Sequence, residues 1–274
     1  MRTPERIDAR AGDRTRVPVH LSSPPEPVRR VRVCDTPVDA LTMADSVRQA
    51  CALIASGAPH QHVAINAAKV IAARKDPALR AIIDDCAIAN ADGQSIVWAS
   101  RLLGRPLPER VTGIDFMQRM WQEAAERGYR VYLLGAKPAT VQRAAEVARG
   151  QGVDVVGARS GYWHPEEEDE VVAAVARTRP DLLFVGLPTP RKEQFLHRHL
   201  DSLGVPLAVG VGGSFDVVAG EVTRAPRWMQ ANGLEWVHRM WQEPRRMVRR
   251  YLVGNAQFIG LVAREWVRTR RRDR

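Results

Sequence analysis

Polar residues that follow short apolar runs are the first candidates for chemistry in this chain. Asn66 follows the run HVAI, and Asp92 with Gly93 follows a run centred on Ile88. The Asn66 amide can hydrogen-bond a sugar or a base edge, and the Asp92 carboxylate can take a proton from an incoming hydroxyl as a general base. Gly93 would let a ligand approach the backbone. Both polar residues also precede helical patterns, so capping of the next helix is the alternative for each.

Two glycine-containing turns occupy similar positions. Gly135 opens a strand–turn–helix segment that continues to Lys137, where helix-start amides and the lysine could attract phosphate. A plain turn is the alternative, since the segment lacks the Walker spacing. The run GVGGSFD, which contains Gly212, Gly213 and Asp216, allows close backbone approach to a ligand. Its GxGG spacing is not the dinucleotide fingerprint, which argues against NAD binding.

The loop GLPTPRKE contributes a cation, because Lys192 stands where a helix is predicted to begin. Its ammonium could contact a diphosphate, and a solvated helix face is the alternative. The close histidine pairs, His60 with His62 and His197 with His199, do not form a ligand set such as HExxH. We therefore predict no metal site. The hydrolase signature GxSxG is also absent from the sequence.

The elements that must position these residues alternate between about Val33 and Gly213. Short apolar runs are followed by segments of helical period, which predicts an α/β fold with a Rossmann-like, mostly parallel sheet flanked by helices. Ligands bind beyond the carboxyl ends of strands in such sheets. The predicted strands are His62–Ile65, Cys86–Ala89, Arg130–Leu134, Val153–Val156, Asp181–Val185 and Leu207–Val211. The predicted helices are Leu41–Ser56, Ala67–Lys75, Ala78–Asp84, Ser95–Leu103, Asp115–Arg127, Ala139–Arg149, Glu166–Arg177 and Arg191–Leu203.

The pattern divides the chain into three parts. Residues 1–32 are predicted to be a disordered basic tail, because no apolar segment of a signal peptide follows their positive charges. Residues 33–222 are predicted to form the α/β catalytic core, and residues 223–274 a helical, basic, membrane-facing appendage. Its helices break near Gly233 and at Pro244. One apolar face is predicted to carry Met247, Tyr251, Phe258, Val262 and Trp266.

Charge is concentrated at the two ends of the 274-residue chain. The net charge is +10, of which residues 1–33 carry +4 and residues 221–274 carry +8, so the middle is near neutral at −2. Acidic partners should therefore meet the ends. Three scattered cysteines do not form a disulfide framework, which favours a reducing cytosol. No run of 18 apolar residues occurs, so we expect any membrane contact to be peripheral.

A series of motifs resembles the WecB/TagA/CpsF glycosyltransferase family, glycosyltransferase family 26. The resemblance covers roughly residues 35–255, with RAP followed by GLEW, EP and RRY as its most specific part. The motifs, in the family's order and spacing, are HVAIN, ADG, RPLPERVTGIDF, YLLG, GLPTPRKE, GVGGSFD, RAPRWMQ and GLEWVHRMWQEPRRMVRRY.

The resemblance implies a hexosyltransferase-type, inverting transfer from a UDP-sugar to a polyprenyl diphosphate-linked saccharide. The family builds cell-envelope polymers and exopolysaccharides at the cytoplasmic face of the membrane, where the enzyme is peripheral. Transfer is implied to be metal-independent and to need no cofactor beyond the donor substrate. The expected partners are therefore the UDP-sugar, the lipid-linked acceptor and an anionic membrane surface.

The resemblance also implies roles for individual residues. Asp92 is the base that activates the acceptor hydroxyl, and Asn66 helps to hold the substrates. Three arginines of the appendage are implied to close over the site and neutralise diphosphate, a role that suits the guanidinium fork. These arginines are Arg239, Arg246 and Arg249. The full substrate-binding set that we predict also includes Thr112, Gly113, Gly135, Lys192, Gly212, Gly213, Asp216 and Arg224.

Two positions depart from the family pattern. Many relatives have Thr two positions before the asparagine, where this chain has Ala64. Many have Gln where this chain has Lys192, which could favour a more acidic donor or acceptor. Both departures leave the identity of the sugar open.

Two other classes of function are compatible with parts of the sequence. A nucleic-acid-binding protein could use the basic ends, but no recognition motif is present and the tail aromatics follow helical spacing. A soluble nucleotide-sugar enzyme such as an epimerase would need the dinucleotide fingerprint that is missing. We expect no nucleic-acid partner. The acceptor, the polysaccharide and the oligomeric state, a homo-oligomer included, are left open.

Overall fold

A computed structural model of the chain has the predicted α/β fold with a six-stranded parallel sheet. It describes residues 28–231, 234–242 and 244–272, without the side chains of residues 227, 231, 236, 239, 242, 244–253 and 272. The strands of this sheet are β3 (His60–Ile65), β4 (Ile88–Ala91), β5 (Arg130–Gly135), β6 (Asp154–Arg159), β7 (Leu182–Gly186) and β8 (Leu207–Gly210). Their order is β4-β3-β8-β7-β5-β6.

Helices cover both faces of the sheet, so the central strands are buried on both sides. The helices are α1 (Met43–Ser56), α2 (Ala67–Lys75), α3 (Pro77–Asp85), α4 (Gln94–Leu102), α5 (Gly113–Arg127), α6 (Pro138–Gly150), α7 (Glu168–Thr178), α8 (Arg191–Leu203) and α9 (Ser214–Val218), followed by α10 (Arg227–Ala231), α11 (Glu235–Gln242) and α12 (Pro244–Arg272). A short 3-10 turn, Pro165–Glu167, stands where the predicted helix Glu166–Arg177 was to begin, so α7 starts two residues later. Continuous apolar strands of this kind are expected in a parallel sheet covered on both faces.

The order of the strands reverses direction between β3 and β8. From β3 the chain moves outward to β4, whereas β5 to β8 lie on the other side of β3. Such a reversal opens a crevice beyond the carboxyl ends of the two central strands, which is where ligands bind in open α/β sheets. Asn66 directly follows β3, and the GVGG turn follows β8. The topology therefore brings two of the predicted motifs to the same crevice.

A hairpin that the sequence did not predict precedes the sheet. Its strands, β1 (Arg30–Val33) and β2 (Thr36–Asp39), pair antiparallel, and the buried Asp39 carboxylate accepts a hydrogen bond from the Ala89 amide at 2.7 Å. The fold thus includes Arg30 to Arg32, which the sequence had assigned to the tail. The turn residues Cys34 and Asp35 both have positive φ, a conformation usually signalled by glycine or asparagine. Without that signal the hairpin was missed.

The C-terminal half of α12 packs against the core. Phe258 and Val262 are buried in one cluster with Val70 of α2 and Val33 of β1. Glu265 accepts a hydrogen bond from the Cys34 amide at 2.9 Å and pairs with Arg105. The predicted apolar face is thus confirmed at these positions, and it covers the core there. Met247 and Tyr251 lie outside the described side chains.

None of the described helices has the length and apolarity that a membrane span requires.

Candidate active site

Asp92 stands at the end of β4 and is held by two neighbouring elements. Its backbone amide donates to the Ile65 carbonyl at 2.8 Å, which keeps it beside the end of β3. Its Oδ1 accepts from the Gly113 amide at 3.0 Å, and its Oδ2 accepts from the Asn66 amide nitrogen at 3.4 Å. The helix-cap alternative for Asp92 is wrong, because α4 is capped at Gly93 without a side-chain hydrogen bond. The half-buried carboxylate is therefore oriented at the edge of the sheet.

Asn66 caps a helix, as its alternative role predicted, and it also contacts Asp92. Its Oδ1 accepts from the Lys69 amide at 3.0 Å and caps α2. Its Nδ2 donates to Asp92. The two roles are compatible because an asparagine side chain has a separate acceptor and donor.

The first turn of α5 supplies the second contact to Asp92. Thr112 caps this helix, since its hydroxyl accepts from the Asp115 amide at 3.2 Å and donates to the Asp115 carboxylate at 2.6 Å. This cap leaves the Gly113 amide free of the helix and directed at Asp92. Thr112 thus contacts the first turn of α5, and Gly113 contacts the candidate base Asp92.

Arg224 forms a bidentate ion pair with Asp115. Its two terminal nitrogens lie 2.6 and 2.7 Å from the two carboxylate oxygens. Burial would raise the pKa of Asp115, but hydrogen bonds from Arg224 and Thr112 outweigh it and lower that pKa. Arg224 was predicted to bind substrate; its described partners are Asp115 and, at 3.4 Å, Glu235 of α11.

Glu235 extends this ion-pair network to the appendage. Its second oxygen accepts from Arg110 at 2.7 Å, and Arg110 also donates to the Gln230 carbonyl at 3.1 Å. The network of Asp115, Arg224, Glu235 and Arg110 therefore ties α10 and α11 to the start of α5. The same turn of α5 contacts Asp92.

Three charged side chains lie buried where α2 and α8 begin. The Glu193 Oε1 atom is 2.6 Å from the Lys69 Nζ and 3.2 Å from the Lys192 Nζ. The two lysine side chains are only 4% and 7% exposed. Burial pushes the pKa of Glu193 up, but both lysines outweigh it and the pKa is lowered. Lys192 is therefore not on a solvated helix face.

Burial also shifts the pKa of the neighbouring bases. The pKa of Lys192 falls to about 8, because it is buried and faces Lys69, while Glu193 and Asp92 act in the opposite direction. Burial, followed by the two lysines, lowers the pKa of His62 on β3 to about 3. His62 is thus neutral at physiological pH, and Lys192 is the group in this cluster whose charge changes near neutrality.

The glycines of the two turns, Gly135 and Gly212, have different surroundings. Gly135 has φ 137°, and a Cβ there would lie 2.5 Å from the Gly186 carbonyl oxygen, so its small size is required by the neighbouring strand. The Ala136 amide already donates to that oxygen at 3.1 Å, which supports the plain-turn alternative. Gly212, in contrast, has φ 56° and lies beside the Lys192 ammonium. Gly213 then precedes α9.

A comparison with protein-family profiles matches residues 31–272 to the glycosyl transferase WecG/TagA/CpsF family. The match extends over nearly the whole chain. The protein belongs to this family. Its members are glycosyltransferases of cell-envelope polysaccharide biosynthesis, so the chain is a transferase of this kind. The family implies a nucleotide-sugar donor and a lipid-linked acceptor, without specifying either molecule. Family membership favours this class over the nucleic-acid-binding alternative.

The crevice of this WecG/TagA/CpsF protein brings together some of the predicted residues. Asn66, Gly113 and Asp92 are in direct contact, and Lys192 lies near Gly212. Asp216 lies in α9, where its carbonyl accepts from the Glu221 amide at 2.9 Å. The three appendage arginines belong to helices α11 and α12, but their side chains lie outside the described residues. Their contact with the site stays a prediction.

Several charged residues of this region were missed in the sequence. Lys69 and Glu193 are buried, and Asp115 and Glu235 organise the network to the appendage. Lys69 and Asp115 are each three residues after a helix cap. The sequence signal for them was a charged residue in the first turn of a helix that follows a strand. It is a weak one, because such residues are commonly solvated.

Proposed function

We propose that this WecG/TagA/CpsF protein transfers a sugar from a UDP-sugar to a polyprenyl diphosphate-linked saccharide with inversion. The observation that carries the proposal is the Asp92 carboxylate, held by the Asn66 amide and the Gly113 amide at the crevice of the sheet. A base must be fixed in geometry to take a proton from one hydroxyl of a sugar. Two contacts from two different elements provide that constraint.

In the proposed step Asp92 accepts the proton of the acceptor hydroxyl. The hydroxyl oxygen forms a bond to the anomeric carbon from the face opposite the UDP, which inverts the configuration. The bond from that carbon to the diphosphate oxygen breaks, and its electron pair stays on UDP. The developing negative charge requires cations close to the leaving diphosphate.

Lys192 supports this chemistry from the core side of the crevice. Its ammonium lies beside the GVGG turn, close enough to Asp92 for that carboxylate to raise its pKa. We assign the floor of the donor pocket to this turn, with Gly212, Gly213 and Asp216. Arg239, Arg246 and Arg249 would add charge from the appendage. Stabilisation by these cations is the basis for proposing transfer without a metal or other cofactor.

The proposed site of action is the cytoplasmic face of the plasma membrane, with the protein bound peripherally. The support is the net charge of +8 on residues 221–274 beside a near-neutral core. Basic segments are attracted to anionic lipid surfaces. The lipid-linked acceptor would be met there.

UDP release from a panel of UDP-sugars, with a soluble lipid diphosphate-saccharide as acceptor, tests the proposal. Replacing Asp92 with Asn should lower kcat by about 10²- to 10⁴-fold, the usual contribution of a general base, while UDP still binds. EDTA should leave the wild-type rate unchanged. The matched control is Asp85→Asn at the exposed end of α3, which should keep full activity. Full activity of the Asp92→Asn variant would refute the assignment of the base.

A further inference from the structure

Lysine is rare in this chain, and half of its lysines are buried. Only four of its 41 basic residues are lysines, at positions 69, 75, 137 and 192. Lys69 and Lys192 are both buried, and both pair with Glu193. Arginine stays charged at any physiological pH, whereas the pKa of lysine shifts readily on burial. Burial lowers the pKa of Lys192 to about 8, so its charge responds to pH near neutrality.

The cluster of Lys69, Lys192 and Glu193 has an excess of one positive charge. Glu193 Oε1 lies 2.6 Å from the Lys69 Nζ, 3.2 Å from the Lys192 Nζ and 3.3 Å from the Thr189 hydroxyl. Among the described residues, Glu193 is the only ion-pair partner of either lysine. One carboxylate cannot neutralise two ammonium groups. An anion that approached Lys192 would complete the balance.

Packing directs Lys192 into the crevice. Its stem crosses the end of β8 at Gly210, where a Cβ would be 2.7 Å from the lysine Cε. Its Nζ lies 4.0 Å from the Cβ position of Gly212 in the next turn. Lys69, in the first turn of α2, pairs with the same Glu193 carboxylate at 2.6 Å. The shared carboxylate thus braces Lys192 between the ends of the two central strands.

We propose that Lys69 and Glu193 are positioning residues that hold Lys192 as the cation for the diphosphate of the donor nucleotide. The inference rests on the proposed function, because it takes UDP as part of the donor. A nucleoside diphosphate is the chemical class that the site would recognise. Because a deprotonated Lys192 would lose this contact, binding of the donor should depend on pH.

The groups that face Lys192 determine the direction of this dependence. Burial and Lys69 of α2 lower the pKa of Lys192 to about 8, and Glu193 of α8 and Asp92 after β4 act to raise it. His62 of β3 is neutral in this range, since its own pKa is about 3. Lys192 is thus charged below pH 8 and loses its charge above it. The diphosphate contact should be present at pH 7 and largely lost at pH 9.

Titration calorimetry with UDP at pH values from 7 to 9 tests the inference. The Kd of the wild-type protein should rise about tenfold over this range, because only about a tenth of Lys192 carries its proton one unit above its pKa. Lys192→Gln should bind UDP more weakly at pH 7 and with little pH dependence. Uridine, which has no phosphate, should bind with the same affinity at both pH values.

Two variants of the positioning residues should shift the midpoint of this curve in opposite directions. Glu193→Gln removes an anion and should move it below 8, whereas Lys69→Met removes a cation and should move it above 8. Loss of a purely structural pair would not produce opposite shifts. The matched control is Lys75→Gln at the exposed end of α2, which should leave the curve unchanged. Thermal unfolding checks that each variant is folded. If Glu193→Gln does not fold, the pH curves of Lys69→Met and Lys192→Gln still test the inference.

Three results would overturn the inference. One is a pH dependence of UDP binding that persists in Lys192→Gln, and another is a shift in the same direction for Glu193→Gln and Lys69→Met. A wild-type protein that binds UDP equally well from pH 7 to 9 would also overturn it, while the proposed function would stand. A wild-type protein that neither binds UDP nor releases it from any UDP-sugar would refute the proposed function itself.

Discussion

The Asn66 side-chain amide makes two hydrogen bonds, one to a helix and one to a carboxylate. The oxygen caps α2 through the Lys69 amide, and the nitrogen contacts Asp92. An N-cap contributes to the free energy of unfolding, whereas orientation of a base contributes to the rate. Substitutions that retain one end can therefore separate these two effects.

Asn66→Ser keeps a capping oxygen but loses the donor to Asp92, so kcat should fall while the free energy of unfolding changes little. Asn66→Ala loses both, and should also lower the free energy of unfolding by about 1 kcal/mol. Urea unfolding and UDP release measure the two effects. Thr42→Ala, which removes the cap of α1, is the control and should lower stability alone. Equal kcat values for Asn66→Ser and wild type would contradict the role of the amide.

At the scale of elements, the ion-pair network connects the appendage to the turn that holds Asp92. Asp115 and Arg224 link α5 to the segment before α10, and Glu235 links both to α11. These side chains are partly buried, so their interactions are less screened by solvent than those of surface pairs. The position of α11 is thereby coupled to the start of α5.

Glu235→Gln should weaken this coupling, because its carboxylate pairs with Arg110 and Arg224 at once. We expect faster amide hydrogen exchange in residues 234–242 and a lower rate of UDP release. Mass spectrometry of peptides from this segment measures the exchange. The control is Glu146→Gln, which breaks an exposed pair with Arg143 and should change neither quantity. Unchanged exchange in Glu235→Gln would show that packing alone holds α11.

At the scale of the whole molecule, α12 is part of the core as well as of the appendage. Phe258 and Val262 cover the cluster that contains α2 and the hairpin. Deleting the chain from Pro226 onward would uncover this cluster, so a loss of activity would not by itself reveal a membrane role. Substitution of single arginines leaves Phe258 and Val262 in place and is the better test.

Replacing both Arg246 and Arg249 with Gln should weaken binding to phosphatidylserine vesicles. A basic residue near an anionic surface contributes about 1 kcal/mol, so the pair should cost about 30-fold in affinity at low salt. Co-sedimentation at two salt concentrations measures the effect and its screening. Arg119→Gln with Arg143→Gln, on exposed positions of α5 and α6, is a control with the same charge change. Equal losses for the two double variants would indicate that net charge alone matters.

Local patterns made much of the fold predictable. Apolar runs separated by helical periods predicted all six strands of the sheet, and the bounds of α2 and α8 were predicted to the residue. The end of β4 was predicted two residues early, since the polar Asn90 is buried in the strand. The crevice residues Asn66 and Asp92 were also found in this way, because polar residues at strand ends stand out against apolar runs.

The sequence by itself determined the parallel α/β fold, the family and the candidate base, since these follow from short local patterns and from their order along the chain. Only the tertiary structure decided which charges meet. Lys69 and Glu193 are 124 residues apart, and Asp115 and Arg224 are 109 apart. In the sequence alone, a charged residue without a visible partner is interpreted as a solvated surface residue. The fold shows that its partner lies within 3 Å. The order of the strands makes those contacts, and with them the environment that lowers the pKa of Lys192.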